Sequence, residues 1–305
     1  MATTQPGASV LVPSQSHHAH GKAGARWLRR LSTATLYALA VITALLFSIP
    51  FFWTISSSLK PMADLYIIPP TWWPSEPRWQ NYVDVFTIAP FARYLWNTVV
   101  VTAFAMLGQI LSAAAVAYGF SRFRFPGRNF LFFVVISTMM LPWQVTIVPT
   151  FLLFRYLQWL NTFLPLIVPS FFGGGAFYIF LLRQFFMTIP RDLDEAAKID
   201  GASSVRIFWN LILPLSKPVL ATVAIFSFIQ HWNEFIAPLI FLNSPDKFTV
   251  SIGLRYFVSS AFESNEPRDA ILMAASLIVA LPALILFFSA QKYFVHGIVT
   301  TGLKG

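Results

Sequence analysis

Cysteine is absent from the 305 residues, which excludes disulfides, thiolate metal sites and cysteine nucleophiles. Charge is scarce as well: charged residues make up 11% of the chain, against roughly 25% in a soluble domain that must wet its surface. That shortage excludes a cytosolic enzyme, and with no cysteine a secreted disulfide scaffold is excluded too. The phosphate-cradling pattern G-x-x-x-x-G-K-[ST] is missing; the single Gly-Lys pair, Gly21-Lys22, is followed by Ala23 and lacks the earlier glycine. Paired carboxylates, a metal-ligand cluster and a nucleophile motif are missing too, so the sequence offers an embedded enzyme no chemistry. What remains is apolar: 56% hydrophobic residues, 17% aromatics and a mean hydropathy of +0.65. The chain reads as an integral membrane protein.

Residues 1–25 are rich in Ala, Gly, Ser, Pro, Gln and His without apolar periodicity, which predicts a disordered tail. From 26 to 305 the chain reads as one membrane domain. A bilayer needs about 20 apolar residues per helix. Six stretches meet that, at about 31–55, 97–119, 129–150, 162–186, 218–242 and 269–290. Unpaired backbone groups are not tolerated in hydrocarbon, so these are expected to be helices. The first is too long for a secretory signal and reads as a retained anchor. Gly173–Gly175 interrupts the fourth and predicts either a break or a close helix contact.

The formal net charge of +9 is explained by where the cations sit. With six spans both termini share one side, and that side carries 14 of the Lys and Arg residues against 7 on the other. The bias predicts cytoplasmic termini and a multi-pass protein of a plasma membrane. It also removes the need for a nucleic-acid partner. Two external connections follow, 57–96 with Trp72, Trp73 and Trp79, and 243–268 with Asp246, Glu263 and Glu266. The first suits a segment at the membrane interface or a docking surface. The second reads as a polar loop.

The cytoplasmic segment 190–214, PRDLDEAAKIDGASSVRIFWNLILP, is the most informative. Asp192 and Glu195 have capping-box spacing, and Leu193, Ala196 and Ala197 share a face of the short helix that follows. Gly201 is placed to end that helix, since glycine enters the left-handed region freely. Ser203 is placed to cap a second helix, on which Val205, Phe208, Trp209 and Ile212 form an i, i+3, i+4, i+7 stripe ending near Pro214. The first helix offers small and acidic residues, Glu195, Ala196, Ala197 and Asp200, to something beyond. By physics alone, insertion into another protein and an amphipathic connector on the membrane surface stand equal.

The pattern Glu195-Ala196-Ala197, three residues, Gly201, nine residues, Leu211, one residue, Leu213-Pro214 resembles the EAA motif of ABC-importer permeases. Leu211 stands where that family usually has Ile. Ala117-Tyr118 with the run Ser121 to Arg128, and also Asn81-Tyr82, Asn97-Thr98, Met140-Leu141-Pro142 and Trp232 to Phe235, resemble the carbohydrate-type subgroup. The ending His296-Gly297…Thr301 to Gly305 is similar to the maltose-type, MalG-like membrane subunits. The resemblance covers the chain from about residue 30 onward.

It implies an all-α type I importer (MetI-like) fold with six transmembrane helices, and uptake of a sugar or oligosaccharide by alternating access. Glu195 to Ser203, including Asp200, Gly201 and Ala202, would be the coupling helix in the cleft of a separate ATPase, with Glu195 paired to a basic residue there. Gly302, Lys304 and Gly305 would reach the ATPase dimer. The 243–268 loop would rest on an external sugar-binding protein, and a second homologous permease would complete the pore. No cofactor is implied for this chain; ATP and magnesium would sit in the ATPase. The same machine for glycerol phosphate or a polyamine is the nearest rival.

Glu234 is the one acid expected inside a span, where a charge costs about 2.5–3.5 kcal/mol on insertion scales. With Gln230 and Asn233 it reads as pore lining or substrate contact, or else as a paired structural group near the outer interface. An ion-gradient carrier with Glu234 as its site is the alternative from another class. Gln109, Asn161 and Gln184 read as polar glue between helices.

Overall fold

The computed structural model describes the backbone of residues 19–264 and 268–302 and the side chains of residues 32–258 and 268–290. Among them the chain is helical, without strands. It divides into two compact units, Met1–Trp53 and Thr54–Gly305. The first carries most of α1 (Ala19–Ser58), which begins inside the stretch predicted as tail, where alanines favour helix. From Leu36 to Phe52 its apolar side chains are exposed on every face, the mark of a helix whose solvent is lipid or another subunit.

In the second unit, α2 (Met62–Leu65) and α3 (Gln80–Ile88) lead to α4 (Phe91–Arg122), which is 32 residues long. Then come α5 (Arg128–Ser137), α6 (Trp143–Tyr156), α7 (Leu164–Ile167), α8 (Ala176–Thr188) and α9 (Asp192–Ile199). α10 (Ser204–Ile207) runs through a π-helical turn, Phe208–Ile212, into α11 (Leu213–Leu215). α12 (Lys217–Trp232), α13 (Ile236–Phe241), α14 (Val250–Ser264) and α15 (Asp269–Gly302) complete the order.

Ser32–Ser58, Phe91–Arg122, Leu164–Thr188 and Asp269–Ala290 are each long and apolar enough to cross a bilayer. Two bent pairs, Arg128–Met140 with Trp143–Tyr156 and Ser204–Leu215 with Lys217–Trp232, raise the number to six if each is one span. The first pair bends by 98°, so the third expected span is not one continuous helix. The physical cause lies at Leu141-Pro142: the residue before a proline is driven out of the helical region, and Leu141 is extended at φ −83°, ψ 115°. The fifth expected span also breaks, since α12 stops at Trp232 and α13 begins only at Ile236.

α4 is the spine. It contributes Ala113, Ala114, Ala117 and Tyr118 to a cluster with α8, the π-turn and α12; Val101 to a second with Phe154, Leu166 and Phe241; and Phe91 and Tyr94 to a third with α14 and α15. Small residues let helices approach closely in lipid, where packing rather than hydrophobicity drives association. The Gly173–Gly175 break uses that freedom: all three have positive φ, and a Cβ on Gly174 would lie 2.4 Å from the Ala113 backbone nitrogen. Both outcomes expected for those glycines occur together.

The 57–96 connection is ordered rather than loose. Asn81 Nδ2 donates to the Ser58 and Lys60 carbonyls at 2.8 and 3.0 Å, and the Arg78 amide donates to Leu59 O at 2.8 Å. Lys60 is buried with its ammonium on Thr71 O; burial pulls its pKa down, partly offset by Asp64. The Ser75 amide donates to Asp64 Oδ2 at 2.8 Å, and hydrogen bonding from Ser75 holds that carboxyl below its ordinary range. Tyr66 Oη donates to Asp269, which raises the phenol pKa. Trp72, Trp73 and Trp79 keep half or more of their surface exposed. The 243–268 connection is not a plain polar loop either: from Val250 it is α14, with Val250, Ile252 and Phe257 buried.

Candidate functional site

The 190–214 segment starts where α8 ends. Arg191 precedes α9 in helical conformation with no side-chain cap, so the Asp192–Glu195 capping box predicted from spacing does not form. Asp192 is already the first helical residue, and Asp194 and Glu195 bond the Arg191 carbonyl through their amides at 2.9 and 3.1 Å. Three acids in the first turn still suit the positive end of the helix.

The far end of α9 closes as the glycine predicts. Gly201 has φ +80°; its amide donates to Lys198 O at 3.0 Å, and the Ala202 amide donates to Ala197 O at 2.9 Å. That pair of bonds is a Schellman motif, which satisfies carbonyls the helix would leave open. A Cβ on Gly201 would meet nothing within 4 Å, so the requirement there is conformational and not steric. Ser203 then caps α10 as expected, its Oγ accepting from the Arg206 amide at 3.3 Å.

The predicted stripe on the second helix is corrected by the π-turn. Ile207, Phe208 and Ile212 are buried against α4, α8 and α12, whereas Val205 and Trp209 are 67% and 51% exposed. Val205 lies before the π-turn and starts the predicted stripe off the buried face, while the π-turn, which adds one residue to the repeat, sets the buried Ile207 and Ile212 five positions apart.

On α9 and the turn that closes it, Glu195, Ala196, Asp200 and Gly201 are exposed, and Ile199 is 88% exposed, while Ala197 and Ala202 pack on the core. The buried acid is Asp194. Its Oδ2 lies 3.0 Å from Arg122 Nε, with side chains only 11% and 5% exposed. Arg122 Nη1 and Nη2 both donate to Ile189 O at 3.1 Å, Arg191 Nη2 donates to Ser121 O at 3.3 Å, and Tyr118 Oη donates to Ser204 O at 3.1 Å. The end of α4 therefore grips the segment before, within and after α9.

A second polar centre lies towards the other end of α4. A cavity of about 190 Å³ is lined by Thr98, Pro165, Pro169, Ser170, Gln230, His231, Glu234 and Thr249 with four apolar neighbours. Gln109 is buried and its Oε1 accepts from Ser227 Oγ at 2.7 Å and lies 2.9 Å from His231 Nε2, tying α4 to α12. Gln230 Oε1 accepts from Tyr178 Oη at 2.8 Å, and Asn233 Nδ2 donates to Ile229 O at 2.9 Å. Glu234 stands in the break between α12 and α13. Its Oε1 accepts from the Ile236 and Ala237 amides at 3.1 Å each, so the carboxylate caps α13 and is anchored there. Asn161 is a loop hub instead of span glue: its Oδ1 accepts from the Asn243 and Ser244 amides at 3.1 and 3.0 Å.

The family of binding-protein-dependent transport system inner membrane components matches residues 107–300. The chain belongs to this family. It is therefore the membrane permease subunit of an ABC-type transport system, and ATP hydrolysis is the work of a separate chain. The permease is 32% identical over 283 residues to the galactooligosaccharides transport system permease protein GanQ of Bacillus subtilis, covering 92% of this chain and 97% of that one. It is 32% identical over 269 residues to the sn-glycerol-3-phosphate transport system permease protein UgpE of Yersinia enterocolitica, covering 86% and 94%. Among solved structures it is similar to a bacterial ABC transporter involved in the import of the acidic polysaccharide alginate. The TM-score there is 0.76 at 25% identity, over 87% of the permease and 97% of that chain.

The structure brings Glu195, Ala196, Ala197, Asp200, Gly201, Ala202 and Ser203 into one helix and turn, and Gln230 and Glu234 to one cavity with Asn233 adjacent. Gly302 is the last residue of α15; Lys304 and Gly305 lie outside the described residues. Sequence reading missed Asp194 and Arg122. Both stand among other charged residues, Asp194 between Asp192 and Glu195 and Arg122 beside Arg124 and Arg128, so the sequence alone does not single them out.

Proposed function

We propose that this permease takes up a neutral sugar or oligosaccharide by alternating access, driven by a cytoplasmic ATPase dimer that docks on α9. The observation that carries the reading is the construction of the coupling segment. Glu195, Ala196, Asp200 and Gly201 are turned outward on a capped, eight-residue helix, while the same segment is fixed to α4 from behind. A small-residue face admits close backbone approach, and Glu195 offers a carboxylate to a basic residue of the ATPase. On this reading both termini are cytoplasmic, and Gly302, Lys304 and Gly305 contact the ATPase, which holds ATP and magnesium. A second permease subunit completes the pore, and a sugar-binding protein delivers solute to the 243–268 side.

The relatives carry two kinds of solute, and the chemistry of the cavity separates them. Among the described residues no lysine or arginine lines it, and its polar groups are Gln230, His231, Glu234 and hydroxyls. Amides and a carboxylate suit sugar hydroxyls; a phosphate dianion calls for arginine or lysine and is repelled by Glu234. The test is uptake by proteoliposomes holding the permease pair, the ATPase and the binding protein encoded with them. Accumulation of an oligosaccharide that needs ATP inside the vesicle is expected. ATP-independent uptake driven by an ion gradient, or uptake of glycerol phosphate in preference to sugar, would overturn it.

A further inference from the structure

The permease joins its coupling segment to the bundle by two unlike connections. Towards α4 the connection is polar and threefold, running through Arg122, Ser121 and Tyr118 to residues 189, 191, 194 and 204. Arg122 is central: its two Nη groups donate to the carbonyl that ends α8, and its Nε lies in ion-pair contact, 3.0 Å, with the carboxylate in the first turn of α9 without an aligned hydrogen bond. Asp194 Oδ1 is buried and accepts no hydrogen bond, which leaves Arg122 as the partner of that carboxylate. Towards α12 the connection is the π-turn and an 81° bend at Ser216, whose Oγ is buried without a partner. Among the described residues no side-chain hydrogen bond joins residues 190–204 to α12. A π-turn interrupts the regular α-helical ladder, and such turns are frequent at functional sites.

We propose that Arg122 and Asp194 are the positioning pair of energy coupling: they lock residues 189–204 to α4 as one rigid body. Movement imposed on α9 then carries α4 and the cavity at its other end, instead of being absorbed at the π-turn and Ser216. With the pair broken, the segment keeps its docking face but swings alone. This rests on the reading that α9 docks on an ATPase. A force path needs an element whose state both sites bias, and spatial continuity alone does not establish one. The test therefore measures movement as well as transport.

The absence of cysteine makes the permease ready for spin labelling. Labels at L107C on α4 and L193C on α9 sit at residues that are 48% and 41% exposed, outside the Glu195–Ser203 docking stretch. In the complete transporter the Leu107–Leu193 distance is expected to stay constant between the nucleotide-free and ATP-bound states. A change approaching about 5 Å, one helical turn, would overturn the proposal. In proteoliposomes, Asp194→Asn and Arg122→Gln are expected to lower solute taken up per ATP hydrolysed by about tenfold, within the usual range of coupling effects. The ATPase should still co-purify, and Arg122→Lys, which keeps the charge beside Asp194, should recover most of the ratio. An unchanged ratio in both variants would also overturn it. If a variant fails to assemble, the distances in the parent transporter decide. A parent transporter without ATP-dependent uptake would instead strike down the functional reading.

Discussion

The two ends of α4 hold irregular chain in place by different chemistry. At the end that lies outside on the proposed topology, Asn97 Nδ2 donates to the Asp246 and Phe248 carbonyls at 3.0 and 2.9 Å, and Thr98 Oγ1 accepts from the Val250 amide at 2.9 Å. Every group in those three bonds is neutral. At the inner end the hold includes a buried ion pair. Asn97 and Arg122 are 25 positions apart on one helix, which at 1.5 Å per residue is roughly 37 Å. A neutral hydrogen bond contributes about 0.5–1.5 kcal/mol net, and one can be exchanged for another or for water at little cost. A buried pair adds little over an apolar replacement, yet losing one partner strands a charge at about 3–5 kcal/mol. The difference teaches that the outer end is built to be adjusted and the inner end to keep one geometry.

Asp194→Ala breaks the comparison hardest. Arg122 is left without its counter-charge, and a loss of about 3–5 kcal/mol is expected, read as lower thermal stability of the purified permease. Asn97→Ala should cost less, about 1–3 kcal/mol for carbonyls left unpaired. Hydrogen exchange should rise at residues 243–250 and stay level at 189–204; a rise at both would mean that the ends are not separable. Sites this far apart should add within about 0.5 kcal/mol in the double variant.

Gly201→Ala sharpens the inner end without touching the pair. It forces a Cβ into the left-handed region at about 1–2 kcal/mol, with open space around it, so the loss should be confined to α9. Protection of the Gly201 and Ala202 amides should fall while that of α4 holds. The smallest effect belongs to the outer connection. Asp64 has its folded pKa depressed by Ser75, so its contribution is present above the ordinary carboxylate pKa of about 4 and is lost as pH falls through the lower folded value. Exchange in residues 61–75 should quicken on acidification below about pH 4. Asp64→Asn should remove that pH dependence.

Much of this was legible before any coordinates. The spans, the Gly201 turn and the Ser203 cap follow from local rules, because each depends on residues within one helical turn. The break at Leu141-Pro142 had its signal in the proline, yet the apolar run around it reads as one uninterrupted span. What stayed hidden is non-local or depends on register. Arg122 and Asp194 are 72 positions apart, and no periodicity relates them. The π-turn at Phe208–Ile212 shifts the buried face by one residue, which an α-helical count cannot anticipate. Glu234 reads as a charge inside a span until the break at 233–235 turns it into the cap of α13. The 243–268 segment reads as loop from its polar residues, although Val250, Ile252 and Phe257 bury an amphipathic helix.

The most direct test of the central claim reverses one exposed charge. Glu195 is exposed on α9 and makes no ion pair within the described residues, so Glu195→Lys should leave folding and membrane insertion intact. In proteoliposomes with all partner subunits, the predicted result is loss of ATP-driven sugar uptake together with loss of ATPase co-purification. Uptake at the parent rate with the ATPase still bound would contradict the assignment of α9 as the docking helix.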